Sequence, residues 1–133
     1  MAGSKSNQLE TDYLTWALSA TAVTRPSAWY VGLFTDAAGI VNDQPTTEAT
    51  TGNCPGYARQ AISSWTISGN QAQNASLATF TASGGAWATV RYWGIFDAST
   101  GGRLLYWGDM TAQTLADTNK LDFPINSITL NED

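Results

Sequence analysis

Ala86-Trp-Ala-Thr-Val-Arg-Tyr-Trp-Gly-Ile-Phe-Asp97, Ala98-Ser-Thr-Gly-Gly102 and Arg103-Leu-Leu-Tyr-Trp-Gly-Asp-Met110 form one continuous stretch. Two runs rich in aromatic and branched residues flank a short cluster of Asp, Ser, Thr and Gly. That is the sequence form of a β-hairpin whose loop exceeds two residues. Tyr-Trp-Gly occurs at 92–94 and again at 106–108. Folding about Ser99–Gly102 sets the two copies roughly opposite each other, where cross-strand aromatic pairs would add about 0.2–1 kcal/mol each. Side chains alternate along a strand, so Trp93 and Ile95 share one face and Tyr92 and Phe96 the other. Both faces are bulky and apolar. Such a strand is covered twice, or covered once and docked on a partner. The hairpin is therefore expected at the centre of an all-β domain.

The rest of the chain agrees with that class. Its 133 residues suit one domain with a real core. Only 13% of residues are charged, and Thr, Ser, Asn and Gln are plentiful, as on a β surface rather than on helices laced with Lys–Glu pairs. The net charge is −5 and the six basic residues are scattered singly, so phosphate-directed binding of nucleic acid has no footing. No charged start followed by an apolar core marks a leader, and no run approaches the ~20 residues of a membrane span. The expectation is a soluble chain made in a reducing cytoplasm, with no membrane partner.

Working outward from the hairpin, Met1 to Asn7 is small and polar and reads as an arm. Asn7 followed by Glu10 has the form of a helix cap, and Leu9, Tyr13, Trp16 and Ala17 recur at helical spacing, which predicts a helix over 8–18. Ala28–Thr35 reads as a strand, bulky on both faces. Asp36 to Gly56 is a long polar segment, expected to run over the surface or onto a neighbour. Tyr57–Ile67 reads as a strand whose apolar phase slips near Ser63–Ser64, the sign of a bulge. Gln73–Ala82 follows. In the last strand Leu121, Phe123 and Ile125 alternate, the phase then switches to Ile128 and Leu130, and Pro124 points to an edge or a bulge. With one helix and no crossover helices, a parallel sheet is excluded. The expected architecture is a single domain, 1–133: an arm (1–7), a helix (8–18) and an antiparallel, jelly-roll-like β sandwich (28–130).

Reactive chemistry finds little to work with. The chain has no histidine and one cysteine, so a thiol or hydroxyl nucleophile lacks its usual base and no internal disulfide can form. Cys54, in the turn Gly52-Asn-Cys-Pro-Gly56, reads as inert. Asp36, Asp43 and Glu48 share the long segment, but at no calcium-loop spacing. Asp97 sits at the hairpin tip and Asp109 ends the second strand, too far apart for paired carboxylates, and Asp97 is expected to cap its own turn. No catalytic residue, metal ligand or cofactor site is expected. Six tryptophans remain (Trp16, Trp29, Trp65, Trp87, Trp93 and Trp107), which suit a core, subunit contacts or stacking on sugar rings.

Ala2-Gly-Ser-Lys-Ser-Asn7 before a helix, Tyr57-Ala-Arg-Gln-Ala61, Trp93-Gly-Ile-Phe-Asp-Ala98 with Thr100-Gly-Gly102, and Leu104-Leu-Tyr-Trp-Gly108 together resemble a group of small tailed-bacteriophage virion proteins labelled "phage tail fibre protein". The resemblance spans nearly the whole chain, and the hairpin motif is its most specific part. A chain this short has no room for the repeats of a fibre shaft, and it is similar in size and class to capsid cement, or decoration, proteins. The resemblance implies a non-enzymatic subunit on the capsid surface, assembled in the host cytoplasm. Its partners would be the major capsid protein, or tail proteins, and further copies of itself as a dimer or trimer. The alternative is a tail fibre component that recognises a glycan through exposed tryptophans. The family supplies no catalytic residues. The subunit interface is expected at Lys5 on the arm, at Leu9, Tyr13 and Trp16 on the helix, and at Tyr92, Trp93, Tyr106 and Trp107 on the hairpin.

Overall fold

In chain order the elements are β1 (Ala2–Lys5), α1 (Asn7–Leu18), β2 (Tyr30–Phe34), β3 (Gln60–Ala61), β4 (Trp65–Ser68), β5 (Gln71–Asn74), β6 (Ala78–Thr81), β7 (Val90–Phe96), β8 (Leu104–Gln113), β9 (Lys120–Phe123) and β10 (Thr129–Asn131). They come from a computed structural model that describes residues 1–132. Strands take 36% of the chain and helix 11%, which makes the protein all-β. Eight strands form one curled sheet in the order β3-β2-β7-β8-β1-β10-β5-β4, and β6 pairs with β9 as a second, two-stranded sheet. Phe80 and Phe123 of the small sheet share a core with Trp93, Ile95, Leu105 and Leu130 of the large one, so the arrangement is sandwich-like. Among the described residues no helix is long and apolar enough to cross a membrane.

The central hairpin forms between β7 and β8. Asp97 holds its loop: its Oδ1 accepts the backbone N–H of Arg103 at 2.7 Å. The two Tyr-Trp-Gly copies do lie opposite each other, but in a register that differs from the expected aromatic pairs. Trp93 faces Gly108 and Gly94 faces Trp107. Each indole sits across from a residue with no side chain. The reason is space: a Cβ at Gly108 would lie 2.6 Å from Cζ2 of Trp93, and one at Gly94 would lie 2.7 Å from Leu104 and 2.9 Å from Phe34.

Both faces of the hairpin are covered by this chain itself. On the inner face Trp93 and Ile95 enter the main core. On the outer face Phe34, Phe96 and Leu104 form a second cluster, closed by Ile40 from a short 3-10 turn at Ile40–Asn42. The long 36–56 segment is thus the lid of its own sheet. It is pinned by Arg59, whose guanidinium lies 3.5 Å from the Phe96 ring centroid and forms two hydrogen bonds to Glu48, at 2.7 and 2.8 Å.

Three further expectations need correcting. Residues 2–5 of the supposed arm are strand β1, seated in mid-sheet between β8 and β10, and parallel to β10. A parallel pair needs a long connection, and nearly the whole chain provides it. Tyr57–Ile67 is not one bulged strand. It splits into β3 and β4, which lie at opposite edges of the large sheet. Only residues 62–64 join them, a reach of at most ~14 Å, so the sheet curls until its edges nearly meet. The phase slip at Ser63–Ser64 is that crossing. The last strand is likewise two strands, in different sheets. Pro124 and Asn126 (φ 68°) turn between β9 and β10, with Ile125 exposed. The buried side chain of Asn74 fastens this turn, accepting from Ile128 N–H at 2.9 Å and donating to Pro124 O at 2.8 Å.

Candidate docking site

Helix α1 is the one α-helix among the described residues and stands outside the sheets. Its cap is Ser6 rather than Asn7: Ser6 Oγ accepts the Leu9 N–H at 3.1 Å. The next free N–H groups, of Asn7 and Gln8, go to the carboxylate of Asp43 at 3.0 and 2.6 Å. A negative charge there also suits the positive end of the helix dipole. The long segment therefore grips the helix as well as covering the hairpin.

The inner side of α1 is tied at several points. Leu9 enters the main core. Tyr13 Oη meets Tyr106 Oη at 3.1 Å, and Tyr106 donates to Glu132 Oε1 at 2.8 Å. Lys5 Nζ reaches Glu132 Oε2 at 2.7 Å. The hydrogen bond to Glu132 lifts the Lys5 pKa above its ordinary value. Burial, followed by the bonds to Tyr13 and Glu132, holds Tyr106 well above the usual phenol range. Arg103, at the base of the hairpin loop, pairs with both Asp12 and Asp97 and donates to Thr24 O at 3.1 Å. It joins the helix, the hairpin and the 19–29 connection.

What remains exposed on this fixed helix is apolar on more than one side: Trp16 lines a groove beside it, while Leu14 and Leu18 lie outside that groove. Leu14, Trp16 and Leu18 are 62%, 76% and 80% exposed. The groove, of about 670 Å³, runs between α1 and the connection, lined by Leu9, Tyr13, Trp16, Ala17, Val23 and Pro26. Asp12 and Arg25 supply the charges along it. A surface of this kind binds by burying apolar area and has no group poised for bond-making. Cys54 stays outside any such chemistry: it is buried, and burial pushes its thiol pKa up.

The interface residues expected from the sequence divide into three places. Lys5, Leu9, Tyr13, Trp16 and Tyr106 come together at the α1 corner, although Lys5 and Tyr106 are occupied by Glu132. Tyr92 and Trp107 are half-buried on the opposite face, packed on the Phe34–Phe96 cluster. Trp93 has no exposed surface and belongs to the core, where no partner can touch it. The other tryptophans are little better placed for stacking on a sugar. Trp87 is buried, Trp29, Trp65 and Trp107 are half-buried, and among the described residues Trp16 is the widely exposed ring.

The family described as "Podophage GP4 fiber I protein gp80" matches residues 4–131. The chain belongs to this Gp80 family. It is accordingly a bacteriophage fibre-type virion structural protein. No curated protein matches this Gp80 chain. The match takes in the end of β1 from Ser4, the α1 corner and the hairpin alike.

Sequence reading overlooked Leu14, Leu18 and Val23 at the corner, and Asp43, Arg103 and Glu132 as its anchors. A signal for the first two was present. Leu9, Tyr13, Leu14, Trp16, Ala17 and Leu18 cover more than one helical face, so packing on the parent sheet could not bury them all. The anchors left no local signal, because each meets α1 or β1 from a distant part of the chain.

Proposed function

We propose that this protein is a binding-only structural subunit of the virion, seated on neighbouring virion proteins through the α1 corner. One observation carries the reading. Trp16, Leu14 and Leu18 are exposed on a helix whose cap, first turn and inner face are all fastened. A rigid apolar surface loses little entropy on docking. Repetition over many sites lets a modest affinity per site suffice.

Two placements fit this mode of attachment. On the capsid surface the chain would act as a decoration protein clamping major capsid subunits. The sandwich-like all-β fold, with an exposed apolar helix corner to dock on a neighbour, supports that placement. On the tail it would serve a fibre, with tail proteins as partners, and the family description supports that one. Copy number per particle and labelled electron microscopy separate them. Hundreds of copies spread over the shell mean decoration, while a few or a few dozen at the tail mean a fibre part. The docking reading itself is tested by Trp16→Ser with Leu18→Ser. The double variant should melt with the wild type, since both side chains face water, and should be depleted from assembled particles. Undiminished incorporation would refute the corner as the attachment surface.

A further inference from the structure

Strand β4 ends the large sheet on one side, and among the described residues no strand lies along its outer edge. It runs into β5 through the two-residue turn Gly69–Asn70, with Ser68 paired to Gln71 and Gly69 at φ 59°. In such a hairpin the pair flanking the turn is hydrogen-bonded, so Ser68 and Thr66 spend their backbone groups on β5. The bond from Ala75 N–H to Ser64 O continues this alternation. The N–H and C=O of Trp65 and Ile67 therefore point outward, and neither residue makes a backbone bond beyond β5.

Proteins guard such edges with charge, proline or a cover. Strand β4 itself carries no charge, proline or cover, and Arg25 is the one charged residue lining the groove beside it. From Gln60 to Val90 the sequence holds no charged residue and no proline. Ile67 is 76% exposed. Trp65 and Ile67 lean over a groove of about 440 Å³, whose floor includes the core residues Ile95, Leu105 and Leu130.

We propose that β4 is a self-association edge, where a second copy of this chain pairs antiparallel to β4 about a two-fold axis through Thr66. Two observations choose a second copy over another occupant. The edge's bonding pattern is its own complement when reversed. Trp65 would exchange both bonds with Ile67 of the second copy, and Ile67 with Trp65 of the second copy, while Thr66 faces its own equivalent. The charge argument points the same way. A chain of net charge −5 repels its copies, and the long uncharged stretch is where they can meet. The contact is isologous, so it closes at two copies and does not run on as an aggregate. Each Ile67 is then laid across the other copy's Trp65, capping the groove's lip.

The register fixes the test. Directly opposed residues of a non-hydrogen-bonded antiparallel pair have Cα atoms about 4.5 Å apart, within disulfide reach. Full-length Thr66→Cys should oxidise to a covalent dimer. Ser68→Cys, whose copies lie several residues apart in this register, should not. The native Cys54 is buried and adds no background. By sedimentation, the wild type should show a reversible dimer that strengthens with added salt. Ile67→Lys, at an exposed site that leaves the fold intact, should raise its dissociation constant about tenfold or more. A wild type that stays monomeric at high micromolar concentration overturns the proposal. So does equal cross-linking at 66 and 68, or a dimer abolished by Trp16→Ser and untouched by Ile67→Lys.

Discussion

Replacing Gly108 by alanine probes the seat of Trp93. An added Cβ would lie 2.6 Å from Cζ2 of the ring and 2.7 Å from the carbonyl oxygen of Ala2. Neither obstacle yields easily. The ring is fully buried, and its Nε1–H donates to Asp109 O at 3.1 Å. The carbonyl belongs to β1, which is held between β8 and β10. Overpacking of this sort costs about 1–3 kcal/mol, and a backbone obstacle places it in the upper half. The smaller entropy of the unfolded alanine chain offsets about 0.4–1 kcal/mol. A net loss of about 1–2.5 kcal/mol is expected, out of a total of about 5–15 for a domain. Urea unfolding followed by tryptophan fluorescence reads it. Gly52→Ala is the control: its nearest neighbour would be 3.5 Å away and its backbone is not left-handed, so it should lie within about 0.5 kcal/mol of wild type. Trp93→Phe removes the ring atoms that clash, so Gly108→Ala should cost less in that background, with a coupling of at least about 0.5 kcal/mol. The reasoning fails if Gly108→Ala is as stable as Gly52→Ala, or if the two changes at 93 and 108 simply add.

Asp43→Ala strips the carboxylate from the first turn of α1 and should cost about 1 kcal/mol, with faster amide exchange at Asn7 and Gln8 than elsewhere in the helix. Arg59→Lys keeps the charge but loses the fork that holds Glu48, Ala98 O and Gly101 O, and should destabilise by about 2–3 kcal/mol in the same urea assay. Burial, then the charge of Glu48, keeps the Tyr57 phenol protonated well above its ordinary range, and burial does the same for Tyr106. A raised folded-state pKa means stability that is whole below the unfolded value of about 10 and declines as pH climbs past it. The melting temperature should therefore be flat from pH 8 to about 10 and drop beyond. Tyr57→Phe should lower it throughout but make the alkaline drop shallower, and an unchanged slope would count against the assignment.

The hairpin was legible because its signals are local: alternation within each run, turn residues between them, and an Asp placed to catch the N–H across its own loop. The repeat Tyr-Trp-Gly was legible as a pairing, but not as a steric fit, because the fit involves Gly3 of β1 as well. Doubly apolar strands correctly demanded two covers. Sequence pattern could not say that the second cover is Ile40, since one isoleucine in a polar segment carries no period. The 57–67 stretch misled for the same reason. A crossing from one sheet edge to the other and a bulge both slip the alternation by one residue, and only the pairing partners tell them apart. At the corner, helical spacing points to Tyr13 and Trp16, while the doubly apolar hairpin points to an interface at Trp93, which lies wholly inside the core.

The distribution of charge connects the fold to the way the protein assembles. Three of its six cations are used as internal clamps: Lys5 on Glu132, Arg59 on Glu48, and Arg103 on Asp12 and Asp97. Lys5 joins the two ends of the chain, and Arg103 joins the helix to the hairpin. Drawn inward in this way, they leave a surface dominated by acids. Copies crowded on a particle then repel one another wherever charged surface meets, over a range of about 8–10 Å at ordinary salt. Close contact costs least where charge is sparse, at the exposed apolar residues of α1 and along the uncharged 60–90 stretch. Interfaces built there strengthen as salt screens the surrounding repulsion, whereas interfaces built from ion pairs weaken. The sign of the salt dependence of assembly therefore reports which kind of surface the virion uses.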